Sequence, residues 1–384
     1  MYSLKKNKSN KKKIVFLSGT RADYGKLKSL ISSVKKNSKF EYKIFITGMH
    51  NLKKYGNTYE EIIKDKFYKY HLFNNQNLND SMDIILSKTI KGFSKFVKIE
   101  KPDLVVVHGD RVEPLGCAIV CTLNNILLAH VEGGEVSGTV DEMLRHSISK
   151  LSHLHFVSNL QAKKRLIQMG EDKKNIYQIG SPDLDIMNSK TLPKIEKVKK
   201  RYDISFKNYG LIIFHPVTTE IKNLNYQAKI LCKAVKKTNK QFIVIYPNND
   251  LGANIILNNF KKYFNNKNFK ILPSMRLEYF LTLLKNSKVI IGNSSAAIRE
   301  APFFGIPSIN LGTRQYKRSK QLSIINLDYE EKTIINYLNY FFSSSKRFKK
   351  SQEFGDGKSS KRFIQIVLNE KFYNTKKQKY FIDI

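Results

Sequence analysis

Two short apolar runs near the middle of the chain limit its fold more than any other feature. Leu104–Val107 ends in His108-Gly109-Asp110-Arg111, and Ile126–Ala129 ends in His130-Val131-Glu132-Gly133-Gly134-Glu135. Apolar runs this short, bounded by glycine, fit strands buried in a parallel sheet. The segment from Pro114 to Asn124 is long enough for a crossover helix. In such a β-α-β unit both strands run the same way, so both polar clusters emerge at one edge of the sheet. Open α/β sheets bind ligands at that edge. Asp110 and Glu132 therefore face one crevice, and Asp141 follows at the start of the next predicted helix. Three carboxylates and a histidine-rich rim at one sheet edge point to proton transfer on a small molecule.

The same alternation runs along the rest of the chain. Lys11–Ser18 reads as a first strand, followed by the loop Gly19–Gly25 and a helix from Lys26 to Lys36. Glu41–Thr47 is a second strand, Ser81–Glu100 a helix, and strands at His155–Ser158 and Ile176–Ile179 flank a helix at Leu160–Met169. The lysine-rich stretch Thr191–Asn208 has the weakest periodicity and reads as a linker. A second alternating set starts at Gly210–Phe214, includes Phe242–Tyr246 and Val289–Ile291, and closes at Ser308–Leu311. This pattern predicts an α/β protein of two Rossmann-like, doubly wound domains facing across a cleft. The expected boundaries are 1–190 for the first domain, 209–345 for the second and 346–384 for a basic tail with one helix near Lys361–Leu368.

Charge is the unusual bulk property: 68 Lys and Arg against 32 Asp and Glu give a net +36. Such a balance raises nucleic acid as a partner. Here the lysines are spread along the whole chain without a recognition motif, so no specific nucleic-acid binding is expected. Cys117, Cys121 and Cys232 show neither disulfide nor zinc spacing, which fits buried thiols in a reducing cytoplasm. No apolar stretch approaches ~18 residues, so no membrane span is expected.

Individual loops suggest a nucleotide. Gly292-Asn293-Ser294-Ser295-Ala296-Ala297 follows a strand and precedes a helix, presenting backbone N–H groups and two hydroxyls to an anion. A plain serine N-cap explains the same loop. Glu300 is placed to reach a ribose diol or else to sit in solvent on its helix. Arg21, on the first loop, and Arg314, after a strand of the second domain, suit a diphosphate approached from both sides. His50 and His215 follow strand ends, where a lone histidine is more often structural; the proline after His215 tips that position toward function. Asp141 with Arg145, and Glu142 with His146, are helix neighbours first.

The motifs taken together resemble the hydrolysing UDP-N-acetylglucosamine 2-epimerases of bacterial sialic-acid pathways and the epimerase half of the bifunctional animal enzyme. The resemblance is carried by Gly19–Tyr24, His108–Arg111, the run HVEGGEVSGTVDE from His130 to Glu142, Arg145-His146, Phe214–Thr218, Gly292–Ser295, Arg299-Glu300 and Asn310–Gln315. It implies a GT-B fold, with UDP held by Arg21, Arg111, Asn248, Asp250, Ser294, Ser295, Glu300 and Arg314. It implies catalytic roles for Asp110, Glu132, Asp141 and His215, and His50 is assigned to the sugar. The chain departs from the family pattern at Ala296-Ala297, where a glycine is common, and at Tyr316-Lys317, within a segment often written RQxGR.

The implied reaction is loss of UDP from UDP-GlcNAc through a glycal-like intermediate, then addition of water to give N-acetylmannosamine. It calls for no metal or cofactor. The C2 hydrogen is not beside a carbonyl, so it becomes acidic only as the C1–O bond breaks. A carboxylate must take that proton and an acid must return one, and neighbouring carboxylates hold different protonation states. Which of the three acids is the base is left open. The expected partners are a UDP-sugar and other copies of the chain in a homo-oligomer. Two alternatives stand beside this reading: a hydrolysing 2-epimerase of a UDP-2,4-diacetamido-6-deoxy sugar, and a GT-B glycosyltransferase.

Overall fold

The computed structural model describes residues 11–137, 140–188, 192–247, 250–315, 318–344 and 347–383. The first half runs β1 (Lys12–Ser18), α1 (Arg21–Lys35), β2 (Phe40–Ile46), α2 (Tyr59–Lys64), β3 (Tyr70–Leu72), α3 (Met82–Glu100), β4 (Leu104–His108), α4 (Val112–Leu123), β5 (Leu128–Val131), α5 (Val140–Leu151), β6 (Leu154–Val157), α6 (Leu160–Gln168) and β7 (Ile176–Gln178). Helices α7 (Asp183–Met187) and α8 (Ile195–Tyr202) lead to the second half. That half runs β8 (Gly210–Ile213), α9 (Ile221–Lys237), β9 (Phe242–Ile245), α10 (Ala253–Tyr263), β10 (Phe269–Leu272), α11 (Leu277–Lys285), β11 (Ile290–Gly292), α12 (Glu300–Phe304), β12 (Ser308–Leu311), β13 (Ile324–Leu327), α13 (Glu331–Ser343) and α14 (Ser359–Val367).

Every strand pairing is parallel. The first sheet has the order β3-β2-β1-β4-β5-β6-β7 and the second β10-β9-β8-β11-β12-β13. Strands β4 and β5 are buried along their whole length because helices cover both faces of the sheet, which is why they read as unbroken apolar runs. In each sheet the order reverses direction once, between β1 and β4 in the first and between β8 and β11 in the second. These switch points open crevices at the carboxyl ends of the strands. The two crevices face each other, as the two-domain GT-B expectation requires.

Three elements were not legible as such. Strand β3 is half-exposed at a sheet edge, β13 is the opposite edge of the second sheet, and α13 lies in a stretch that the sequence left unassigned. The supposed linker carries a helix, α8, whose Val198 is buried in the second domain's core. The tail expected over 346–384 is not independent. The chain crosses back to the first domain, where Phe363, Val367 and Phe372 join its core. Phe363 sits with its ring centroid 4.9 Å from Phe156 and 6.4 Å from Phe16. Among the described residues no helix is long and apolar enough to cross a membrane.

Candidate active site

A cleft of about 310 Å³ lies between the two switch points. The loops after β1, β4 and β5 form one wall, and those after β8, β11 and β12 the other. Of the residues singled out from the sequence, Arg21, Asp110, Arg111, Glu132, Asp141, His215, Ser294, Ser295, Glu300 and Arg314 all line it. Asp250 stands behind the lining, 3.3 Å from the Arg111 guanidinium. Asn248 lies outside the described residues.

The carboxylates of the first wall differ in their electrostatic settings. Burial pushes the Asp110 carboxyl up, but Arg145, which donates to it from α5, and then Arg314 and His108 outweigh burial and hold it ionised. Burial also raises Asp141, and there Asp110 adds to the rise, against the opposing pull of Arg314 3.1 Å away. Two neighbouring carboxyls whose affinities for a proton are driven apart form an acid and base pair. Arg145 therefore serves Asp110 and also donates to the Glu135 carbonyl, 3.2 Å away.

Glu132 is not a free carboxylate. Arg299, from the segment before α12, donates to both of its oxygens. Ser181 donates to it, Lys26 Nζ lies 3.7 Å away and His108 Nε2 3.0 Å away. Burial raises this carboxyl, and Arg299, then Lys26 and His108, overcome that and hold it well below the ordinary range. Lys26 extends the cluster to Asp183 at 3.0 Å and Glu300 at 3.9 Å. Glu135 joins through Arg299 at 3.4 Å and through Arg318. The cluster ties α1, β5 and α7 to the second domain, so it also holds the cleft walls together.

The second wall is built on β8 and β11. The Asn293 side chain accepts from the His215 N–H at 2.7 Å and donates to the His215 carbonyl at 2.8 Å, locking the two strand ends side by side. Gly292 has φ +139°, and a Cβ there would stand 2.0 Å from the Ile213 carbonyl oxygen. Only glycine allows this approach. The loop does not enter a long helix as expected. Ser295–Ala297 is one 3₁₀ turn and α12 has five residues, so a helix macrodipole contributes little. Ser294 accepts from the Ala296 N–H, which is the plain capping role. The Asn293 carbonyl in turn accepts from Arg314 Nη1 at 3.3 Å and Gln315 Nε2 at 3.0 Å, aiming Arg314 at the cleft.

Burial, then the Arg314 and Arg111 charges, keep the His215 ring neutral. Glu300 is raised by burial, with Asp183 adding and Lys26 opposing, to about 7. Its Oε2 is buried without a partner. Arg21 is held 2.5 Å from Glu61 and donates to Ser274 across the cleft.

His50 is placed differently from its assignment. It is fully buried, its Nε2 lies 2.8 Å from Ser18 Oγ and its Nδ1 2.7 Å from Thr58 Oγ1, and it is absent from the cleft lining. With both nitrogens engaged it braces Thr58, which does line the cleft, and the expected sugar contact is corrected to that supporting place. His130 is likewise a support, bonded to Ser149 and to the Gly109 carbonyl. His146 meets Glu142 at 3.4 Å on α5, as the helical spacing indicates. Sequence reasoning assigned no role to His108, Lys26, Glu135, Ser181, Asp183, Arg299 or Arg318. Arg299 and His108 were signalled by their place inside the motifs. Lys26 and Asp183 carried no local signal, because a lone lysine on a helix reads as solvated.

The family model for UDP-N-acetylglucosamine 2-epimerase matches residues 32–368. A UDP-N-acetylglucosamine 2-epimerase of Neisseria meningitidis serogroup B is 46% identical over 97% of this chain and 99% of its own length. A UDP-N,N'-diacetylbacillosamine 2-epimerase (hydrolyzing) of Legionella pneumophila is 37% identical over 93% of this chain and 95% of its own. Among solved structures, a UDP-GlcNAc 2-epimerase from Neisseria meningitidis bound to UDP-GlcNAc superimposes with a TM-score of 0.79. It covers 93% of this chain and 99% of that one at 19% identity, a likeness of GT-B fold. With the switch-point cleft, the carboxylate wall and a match across most of its length, this chain belongs to the UDP-N-acetylglucosamine 2-epimerase family.

Proposed function

We propose that this protein is a hydrolysing epimerase that converts UDP-GlcNAc and water to UDP and N-acetylmannosamine, as a step supplying sialic-acid-type sugars. The observation that carries the reading is the pairing of Asp110 with Asp141 on one wall, opposite arginine and hydroxyl groups on the other. The diphosphate binds between Arg111 and Arg314, with Ser294 and Ser295 beside it and Glu300 on the ribose. As the C1–O bond lengthens, its electron pair leaves with the diphosphate, whose charge the arginines stabilise. The ionised Asp110 takes the C2 proton, and the C2–H electrons become the C1–C2 double bond. Water then adds its oxygen to C1, and Asp141 delivers a proton to C2 on the face that gives the manno configuration. Drawing Arg314 to the diphosphate weakens one of the charges that oppose protonation of Asp141, so burial and the neighbouring Asp110 strengthen its hold on a proton. His215, neutral in its ring, is available to accept a proton from the attacking water.

The test is product identification by NMR after incubation with UDP-GlcNAc in heavy water. Free UDP and N-acetylmannosamine deuterated at C2 are expected. Recovery of UDP-ManNAc alone would instead mark an epimerase that keeps the nucleotide attached. The 37% identity to the Legionella pneumophila protein favours one second reading, a UDP-2,4-diacetamido-6-deoxy sugar as substrate. A higher kcat/KM for that sugar than for UDP-GlcNAc would replace the first choice.

A further inference from the structure

His108 closes β4, two residues before Asp110. Its Nδ1 lies 3.2 Å from Asp23 Oδ1 on α1, and its Nε2 lies 3.0 Å from Glu132 Oε2 after β5. A neutral imidazole carries one N–H and one lone pair. It would satisfy one carboxylate and turn a lone pair on the other. The imidazolium, with two N–H groups, donates to both. His108 is 7% exposed and lines the cleft.

The backbone supplies a second observation. Glu132 has φ +66°, in the left-handed region. Such a conformation is unfavourable for a non-glycine residue and persists where the surroundings enforce it. Here the enforcing contacts are Arg299, Ser181 and His108 on its carboxylate. The charged and titratable groups around His108 are Asp23 and Lys26 from α1, Asp110 from its own loop, His130 and Glu132 from β5 and its end, and Arg299 from the second domain. Lys26 and Arg299 spend their charge on Glu132, Asp183 and Glu135. Burial opposes a charge on the ring; Glu132 and Asp23 outweigh it and raise its pKa to about 9.

We propose that His108 is a positioning residue of the reaction: an imidazolium clamped between Asp23 and Glu132, standing as a fixed positive charge behind Asp110 and keeping that carboxylate ready to take a proton. Glu132, on this view, acts through His108 and Arg299 rather than on the sugar. The kinetic consequence rests on the proposed epimerase reaction; the protonation state of the ring does not.

The experiment uses the full-length protein labelled with ¹⁵N-histidine, with the His108 signals assigned by their loss in His108→Gln. At pH 7.5 both ring nitrogens should carry protons, and in Glu132→Gln the ring should titrate at least one pH unit lower. Asp23→Asn removes the other half of the clamp and should give the same downward shift, so the result does not depend on one variant folding. A neutral tautomer at pH 7.5, or a titration unmoved by either variant, overturns the proposal whatever the substrate is. In UDP release from UDP-GlcNAc, His108→Gln should move the acid limb of kcat upward by about one pH unit, with KM within about threefold of the parent. A uniform fall in kcat with the limb in place would reduce His108 to a merely structural residue and overturn the positioning role.

Discussion

Replacing Arg299 by methionine removes one charge from the centre of the ion cluster that joins the two domains. Arg299 is 3% exposed; its guanidinium donates to both Glu132 oxygens, approaches Glu135 at 3.4 Å and lies 5.1 Å from the Phe354 ring centre. Methionine keeps the stem's volume and its contact with Phe354 but leaves Glu132 and Glu135 short of a counter-ion. Breaking one side of a buried pair typically costs about 3–5 kcal/mol. For a chain whose domains are each near 150–250 residues this corresponds to a fall in Tm of roughly 6 to 20 °C. The pH dependence sharpens the prediction. Burial pushes both glutamates up, and Arg299 is the first of the charges that hold them down. A carboxylate with a depressed folded pKa contributes stability that is present above its unfolded pKa and lost as pH falls through the folded value. Without Arg299 both carboxyls recover protons on mild acidification, and a protonated carboxyl is less costly to bury. The gap in Tm between parent and variant, followed by differential scanning fluorimetry, should therefore be larger at pH 7.5 than at pH 5. An unchanged Tm, or an equal gap at both pH values, would refute the assignment of Arg299 as the main counter-charge of this cluster.

Asp110→Asn should lower the rate of UDP release by at least ~10²-fold, the usual contribution of a general base, while calorimetry shows UDP binding retained. Glu300 has a folded pKa raised to about 7, chiefly by burial. A carboxyl raised in this way contributes stability below its unfolded pKa and loses it as pH climbs through the folded value. Glu300→Gln should thus gain Tm relative to the parent between pH 5 and pH 8. Phe363 is fully buried against Phe156 and Phe16, so Phe363→Ala should cost about 3–5 kcal/mol in urea unfolding. A surface tail would lose almost nothing.

Much of this protein was legible from its residues alone. The apolar runs 104–107 and 126–129 named buried parallel strands because only a sheet covered on both faces keeps such runs dry. Their shared direction already placed Asp110 and Glu132 at one edge. Motif spacing carried the family. The edge strand β3 and the returning α14 were not legible, since half-exposed segments have no clear period and docking between distant segments leaves no local mark.

What the sequence could not assign was the division of labour among the acids. Asp110, Glu132 and Asp141 are alike in composition and in edge position. Their partners come from remote parts of the chain: Arg145 for Asp110, Arg314 for Asp141, and Lys26, Ser181, His108 and Arg299 for Glu132. A carboxyl's affinity for a proton depends on burial and on charges within a few ångströms, and those distances exist only in the folded chain: within the first domain for Arg145, Lys26, Ser181 and His108, and across the cleft for Arg314 and Arg299. The sequence by itself determined the sheet, the edge and the family; the tertiary structure alone decided that Glu132 is bound in an ion cluster while Asp110 and Asp141 face the cleft as a pair.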